Sequence, residues 1–173
     1  AFSLARFSQA FLVLRAAGLG VPAAAVPLVM MAMNLVYAAS AYPFGRLADR
    51  VSRSALLAAG LATLVAADLA LAAAQGWALL ALGIVLWGAH LGMTQGLLAA
   101  MVADAAPQEL RGTAYGVFNL VSGLALLLAS ATAGWLWERV GPAGSFLAGA
   151  GFATLCLLLA AVARWLTLRR RAG

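Results

Sequence analysis

Charged side chains are scarce in this chain: they make up 9% of its 173 residues, against 65% that are apolar. A water-facing globular domain needs far more polar surface than that, so a soluble fold is excluded. Lysine is missing, all eleven basic residues being arginine; with the abundance of alanine this reads as coding bias and points to no function. The one cysteine, Cys156, lies in the last apolar run without a second thiol. An intrachain disulfide and a cysteine-based metal site are therefore ruled out. No Gly-x-x-x-x-Gly-Lys-Ser/Thr phosphate loop occurs, so direct use of ATP is not expected, and neither a cofactor nor a metal is called for. A secretory signal, with its basic start, short apolar core and small-residue cleavage site, is likewise not visible.

The formal charge of +6 would suggest nucleic acid if it lay on one exposed face. The arginines fall instead at the ends of apolar runs and in the tail, so no nucleic acid is expected.

What the chain has in quantity is apolar runs of about 20 residues, enough to span ~30 Å of hydrocarbon. Six such segments run near 1–17, 25–44, 55–74, 77–103, 113–137 and 145–166, predicting an all-α polytopic membrane protein, a single six-helix transmembrane bundle in the lipid bilayer. Gly18, Gly20 and Pro22 separate the first two segments, Gly45 and the polar stretch 46–54 the next pair, and Gln75 with Gly76 makes a tight third turn. The fourth connection carries Pro107, Glu109 and Arg111, which suit one amphipathic turn at the membrane surface. Gly141, Pro142 and Gly144 form the last break, with Ser145 the expected N-cap of the sixth helix. The first segment would be only ~25 Å long as a helix and lacks an initiator Met, so the chain is read as a fragment cut within or just before a helix.

Arginine placement sets the orientation. Arg46, Arg50 and Arg53, then Arg111, then Arg169, Arg170 and Arg171 all fall on one side, whereas the alternate connections have little beyond Arg15 and Arg139. That side, with the C-terminus, is expected to be cytoplasmic, in the cell inner (plasma) membrane.

An ionisable group inside hydrocarbon costs ~3 kcal/mol and normally faces a bundle interior or a wet cavity. Arg6, Asp68 and His90 are such groups. Ser3, Arg6 and Gln9 share one arc of the first helix. On the fourth, Trp87, His90 and Thr94 share a face opposite Gly88, Gly92 and Gly96; the glycine ladder is expected to pack against a helix and the other face to be open. Asn34 with Tyr37, and Tyr115 with Asn119 and Ser122, repeat the pattern on the second and fifth helices. Arg6, Gln9, Asn34, Tyr37, His90, Thr94 and Asn119 are therefore the candidate substrate-cavity residues; the alternative for Arg6 is a structural pair or a carbonyl cap, for His90 a hydrogen bond to a neighbouring helix, and for Asn34, Tyr37 and Asn119 interhelical hydrogen bonding is the default role. Asp68, on an otherwise apolar helix, either pairs with an interhelical donor or is protonated. No nucleophile or metal-ligand spacing lies near His90 or Asp68, so an intramembrane enzyme is not expected.

The loop Gly45-Arg46-Leu47-Ala48-Asp49-Arg50-Val51-Ser52-Arg53 resembles the Gly-x-Leu-Ala-Asp-Arg-x-Gly-Arg-Arg signature of the major facilitator superfamily (MFS), with Ser52 at a family glycine and Ser54 at a basic position. The segment 107–116 is similar to the connection into that family's eleventh helix, and Gly134 to Gly141 to its end. The resemblance implies that the chain is the C-terminal half, helices seven to twelve, with the first, second, fourth and fifth segments lining a central cavity. It implies a secondary transporter of a small organic solute, most commonly by efflux, completed by an N-terminal half and using, in some members, a coupling proton. It also makes Gly45, Asp49, Arg50 and Arg53 a cytoplasmic gating loop. A non-transporting membrane sensor or scaffold with the same fold is the alternative function, and a purely topogenic loop the alternative for these four residues.

Overall fold

The computed structural model describes residues 7–172 and consists, among these, of helices and short connections. Arg6 and Ser3 lie outside the described residues. The helices are α1 (Ala10–Gly18), α2 (Val26–Ala48), α3 (Arg53–Ala73), α4 (Trp77–Ala105), α5 (Arg111–Val140) and α6 (Pro142–Ala172). Among the described residues, five stretches are long and apolar enough to cross a membrane: Ala23–Ala48, Arg53–Ala73, Trp77–Ala105, Gln108–Val140 and Pro142–Val162.

Two of the boundaries that differ from the sequence expectation do so for a backbone reason. Gly45 does not end α2, which runs on to Ala48 with Pro43 inside it. In hydrocarbon every peptide group needs an internal partner, which favours continuing the helix over opening it at a glycine. Ser145 is not the N-cap of α6: Gly141 turns the chain with φ +90° and Pro142 begins the helix. Proline at the first helical position loses nothing by lacking an N–H. The Ser145 hydroxyl is buried and donates instead to the Ala133 carbonyl at 2.7 Å, tying α6 to α5. In the fourth connection Pro107 leads into one short 3₁₀ turn, Gln108–Leu110.

α4 is the centre of the packing. It lies between α2 and α3; α3 then packs on α6 and α6 on α5, while α1 crosses to touch α2 and α4. Glycines set the close approaches. A methyl group on Gly88 would come within 2.6 Å of the Met33 carbonyl oxygen, and one on Gly92 would strike Ser40. On the α3 side, Gly83 receives Leu71 and Gly60 receives Thr94. An aromatic cluster fastens α1 to the rest: Phe7 makes edge contacts to Phe11, Trp87 and Phe146 at 5.2, 5.4 and 5.5 Å. Trp137 of α5 closes the cluster against Phe11 and Phe146.

Arg15 does more than mark the outer side. Its Nε donates to the Leu71 carbonyl at 3.0 Å and its Nη2 to the carbonyls of Ala72 and Ala74. These are orphan acceptors at the negative end of α3, where a cation is favoured by both hydrogen bonding and the helix dipole. Arg15→Ala should cost about 1–2 kcal/mol of stability, with Arg15→Lys keeping part of it, as read from thermal unfolding in detergent. An unchanged midpoint for Arg15→Ala would show that these carbonyls are satisfied without the guanidinium.

Candidate functional site

The polar side chains singled out in the sequence separate into three environments. The first is a crevice of about 320 Å³ between α2, α3 and α4, at the arginine-rich end of the bundle. Tyr37, Gly45, Asp49 and Arg53 all line it, with Gly92 and Gly96. One residue assigned to the cavity and three assigned to the loop are thus brought to one place. The glycine ladder explains the opening: Gly88 and Gly92 press on α2, but a methyl on Gly96 would meet nothing within 4 Å. α2 and α4 diverge there.

At the same end, the Arg53 guanidinium forms an ion pair with Asp104, in the last turn of α4. Both side chains are about half exposed, 47% and 55%. Ser52, which stands at the family glycine, caps α3 by accepting a hydrogen bond from the Ala55 N–H. Asp49 is the residue that closes α2. Arg50 turns to a different, shallow crevice with Tyr42, Pro43, Arg46 and Leu47, where the Arg46 guanidinium lies 5.9 Å from the Tyr42 ring centre. The connection from α4 to α5 is held as well: Arg111 Nε donates to the Ala103 carbonyl and the Tyr115 hydroxyl to that of Ala99.

The second environment is an open cavity of about 530 Å³ bounded by α1, α2 and α5, lined by Gln9, Ser8 and Val13 with Met30 and Leu126. Asn34 is one turn from Met30 along α2 and donates its Nδ2 to the Met30 carbonyl at 2.9 Å. Asn119 is two turns from Leu126 along α5. Both asparagines are exposed, on the two helices whose faces are least covered. Leu35 of α2 is 71% exposed and Leu127 of α5 65% exposed.

The third environment is the α3–α4 interface, and it holds His90 and Thr94. The face of α4 expected to be open is closed by α3: His90, Thr94 and Trp87 are fully buried. His90 Nδ1 meets the Gly60 carbonyl at 2.7 Å, and the Thr94 hydroxyl donates to the carbonyl of His90. Polarity on a helix face does not by itself separate a wet cavity from a neighbour's backbone, because a carbonyl at a glycine is as good a partner as water. Among the described residues no group of three or more His, Cys, Asp and Glu could hold a metal ion.

Apolar membrane-length helices, packed through glycines and carrying polar groups on α2 and α5 faces left open, define a polytopic α-helical integral membrane protein. The chain belongs to the Major Facilitator Superfamily, whose family model matches residues 1–173. It is 32% identical over 164 residues to an uncharacterised MFS-type transporter of Methanocaldococcus jannaschii, an alignment covering 91% of this chain and 41% of that protein. The chain therefore spans less than half the length of the curated relative it matches.

Proposed function

We propose that this chain is the C-terminal six-helix half of a secondary transporter that exports a small organic solute by alternating access. The observation that carries the reading is the pair of uncovered faces on α2 and α5, which bear Asn34 and Asn119 beside a cavity that Gln9 enters. Long apolar faces interrupted by exposed amides suit a wall that meets an N-terminal half across a solute-filled space. The sequence pattern that groups Arg6 with Gln9 makes it a candidate for the same role, while His90 and Thr94 hold α4 to α3. The arginine-rich end, with the C-terminus, is cytoplasmic in the inner membrane. There Gly45, Asp49, Arg50 and Arg53 form the inner gate.

The test is solute movement by the full-length protein in proteoliposomes, screened over organic cations, anions and neutral amphiphiles. Wild type should move at least one class against a gradient. Arg6→Ala and Asn119→Leu should each reduce the rate about tenfold or more, the worth of one lost charged or desolvated polar contact. If no class moves, the chain belongs to a membrane protein that keeps this fold without turnover.

A further inference from the structure

Asp68 is not part of the proposed wall or gate. It is fully buried on α3, and neither carboxylate oxygen has a hydrogen-bond partner among the described residues. The carboxylate points to α6: a methyl group on Gly149 would come within 2.6 Å of Asp68 Oδ2 and 2.7 Å of Phe7 Cε1. Asp68 and the Phe7 ring therefore share one small surface over a glycine. Phe7 also stacks edge-on against Trp87, whose indole Nε1 is a second buried polar atom without a partner among the described residues. An unsatisfied acceptor and an unsatisfied donor thus both adjoin the same ring.

Phe7 and Gly149 have a second neighbour. They line a cavity of about 70 Å³ between α5 and α6, with Thr132 and Ser145 in its wall. That is room enough to hold water. Both hydroxyls give their protons to backbone carbonyls, Thr132 to Leu128 and Ser145 to Ala133. Each oxygen keeps lone pairs that accept from water. Asp68 does not itself line this space.

An ionised carboxylate in such a place needs a counter-charge or several donors; a protonated one does not. Among the described residues, the elements packed around Asp68 bring few charged or titratable groups. α1 contributes Arg15, whose guanidinium donates to the carbonyls of Leu71, Ala72 and Ala74, one to two turns further along α3, and forms no ion pair with Asp68 among the described residues. α4 contributes His90, whose Nδ1 meets Gly60 more than two turns away along α3. α6 contributes Cys156, about two turns beyond Gly149.

We propose that Asp68 is a proton-binding site plugged by Phe7, whose ring also borders the cavity that Gln9 lines. When the ring swings aside, a hydronium ion in the α5–α6 cavity transfers its proton to a carboxylate oxygen, forming the O–H bond and leaving water. With the ring seated, the acid keeps that proton. Phe7 precedes α1, so movement of α1 and proton exchange at Asp68 are linked. None of this depends on the chain moving a solute.

Infrared difference spectroscopy of the full chain in lipid nanodiscs tests it. At neutral pH the wild type should show a carboxylic-acid C=O band that Asp68→Asn, equal in size and neutral, removes. The downshift of that band on transfer to D₂O should be slow in wild type and about tenfold or more faster in Phe7→Ala, as expected for removing a local closure. Phe7→Leu, which keeps an apolar side chain in the cluster, should fall between. No band in the wild type, or one that survives Asp68→Asn, would mean an ionised Asp68 with a counter-ion and would overturn the site. Equal exchange rates in wild type and both Phe7 variants would overturn the plug.

Discussion

Replacing Gly88 with leucine is expected to cost about 3 kcal/mol or more and to detach α2 from α4. The estimate starts from the first carbon added. A methyl group at this position would lie 2.6 Å from the Met33 carbonyl oxygen and 2.9 Å from Val36 Cβ. Neither obstacle can step aside, since the carbonyl belongs to the helix backbone and the Cβ is fixed to it. Overpacking a tight site costs about 1–3 kcal/mol, and leucine extends the clash by three further carbons. Within a bilayer there is no hydrophobic gain to offset the loss, because lipid is as apolar as the partner helix and association rests on close fit. Gly92→Leu should be comparable, since its added carbon would strike Ser40. Gly96→Leu is the contrast. It continues the same ladder in sequence but meets nothing within 4 Å, so its cost should stay near the ~1 kcal/mol or less of an ordinary surface change. Thermal unfolding in detergent, with limited proteolysis of the α1–α2 connection, measures all three. Equal destabilisation at Gly88 and Gly96 would show that the ladder acts along its whole length and that α2 and α4 do not diverge.

That contrast also shows what could be read from the sequence and what could not. The helices were legible because apolar runs stop where Gly, Pro and Arg accumulate, and because hydrocarbon permits few alternatives to a helix. The loop from Gly45 to Arg53 was legible because its residues form a signature. The glycine face of α4 was legible as a packing face, but spacing alone does not say where two helices separate, so Gly96 looked like Gly88. The burial of His90 and Thr94 has a related reason: His90 meets the Gly60 carbonyl, and Thr94, whose hydroxyl donates to the His90 carbonyl, packs over Gly60; a carbonyl made accessible by a missing side chain leaves no pattern in the sequence. Arg15 reads in the sequence only as a topological charge because its acceptors are the last carbonyls of α3, equally invisible there. The aromatic cluster around Phe7 was passed over, since phenylalanine and tryptophan give no contrast on an apolar background. Asp104 stood in the α4–α5 connection among other polar residues, and nothing local marked it as the partner of Arg53.

Reversing either charge of the Arg53–Asp104 pair is expected to cut transport by the full-length protein about tenfold, with little effect on folding. The pair is about half exposed on both sides, and such a pair contributes ~0–1 kcal/mol to stability. Its position gives it a different weight. It joins the first turn of α3 to the last turn of α4 beside the crevice where Tyr37, Asp49 and the divergence at Gly96 come together. If that crevice opens and closes as the two halves rock, the pair favours one state over the other. Arg53→Asp removes the attraction and adds repulsion between two carboxylates; Asp104→Arg does the same with two cations. A tenfold change in rate corresponds to ~1.4 kcal/mol, within reach of a lost attraction and a new repulsion acting together. The decisive variant is the exchange, Arg53→Asp with Asp104→Arg, which restores opposite charges in inverted order. It should recover most of the lost rate, and the recovery should shrink at high salt as screening weakens the pair. Single variants that transport normally would reduce this end of the bundle to a topological signal. A double variant no better than the product of the singles would place the effect on each residue separately, because only interaction between the two can produce rescue.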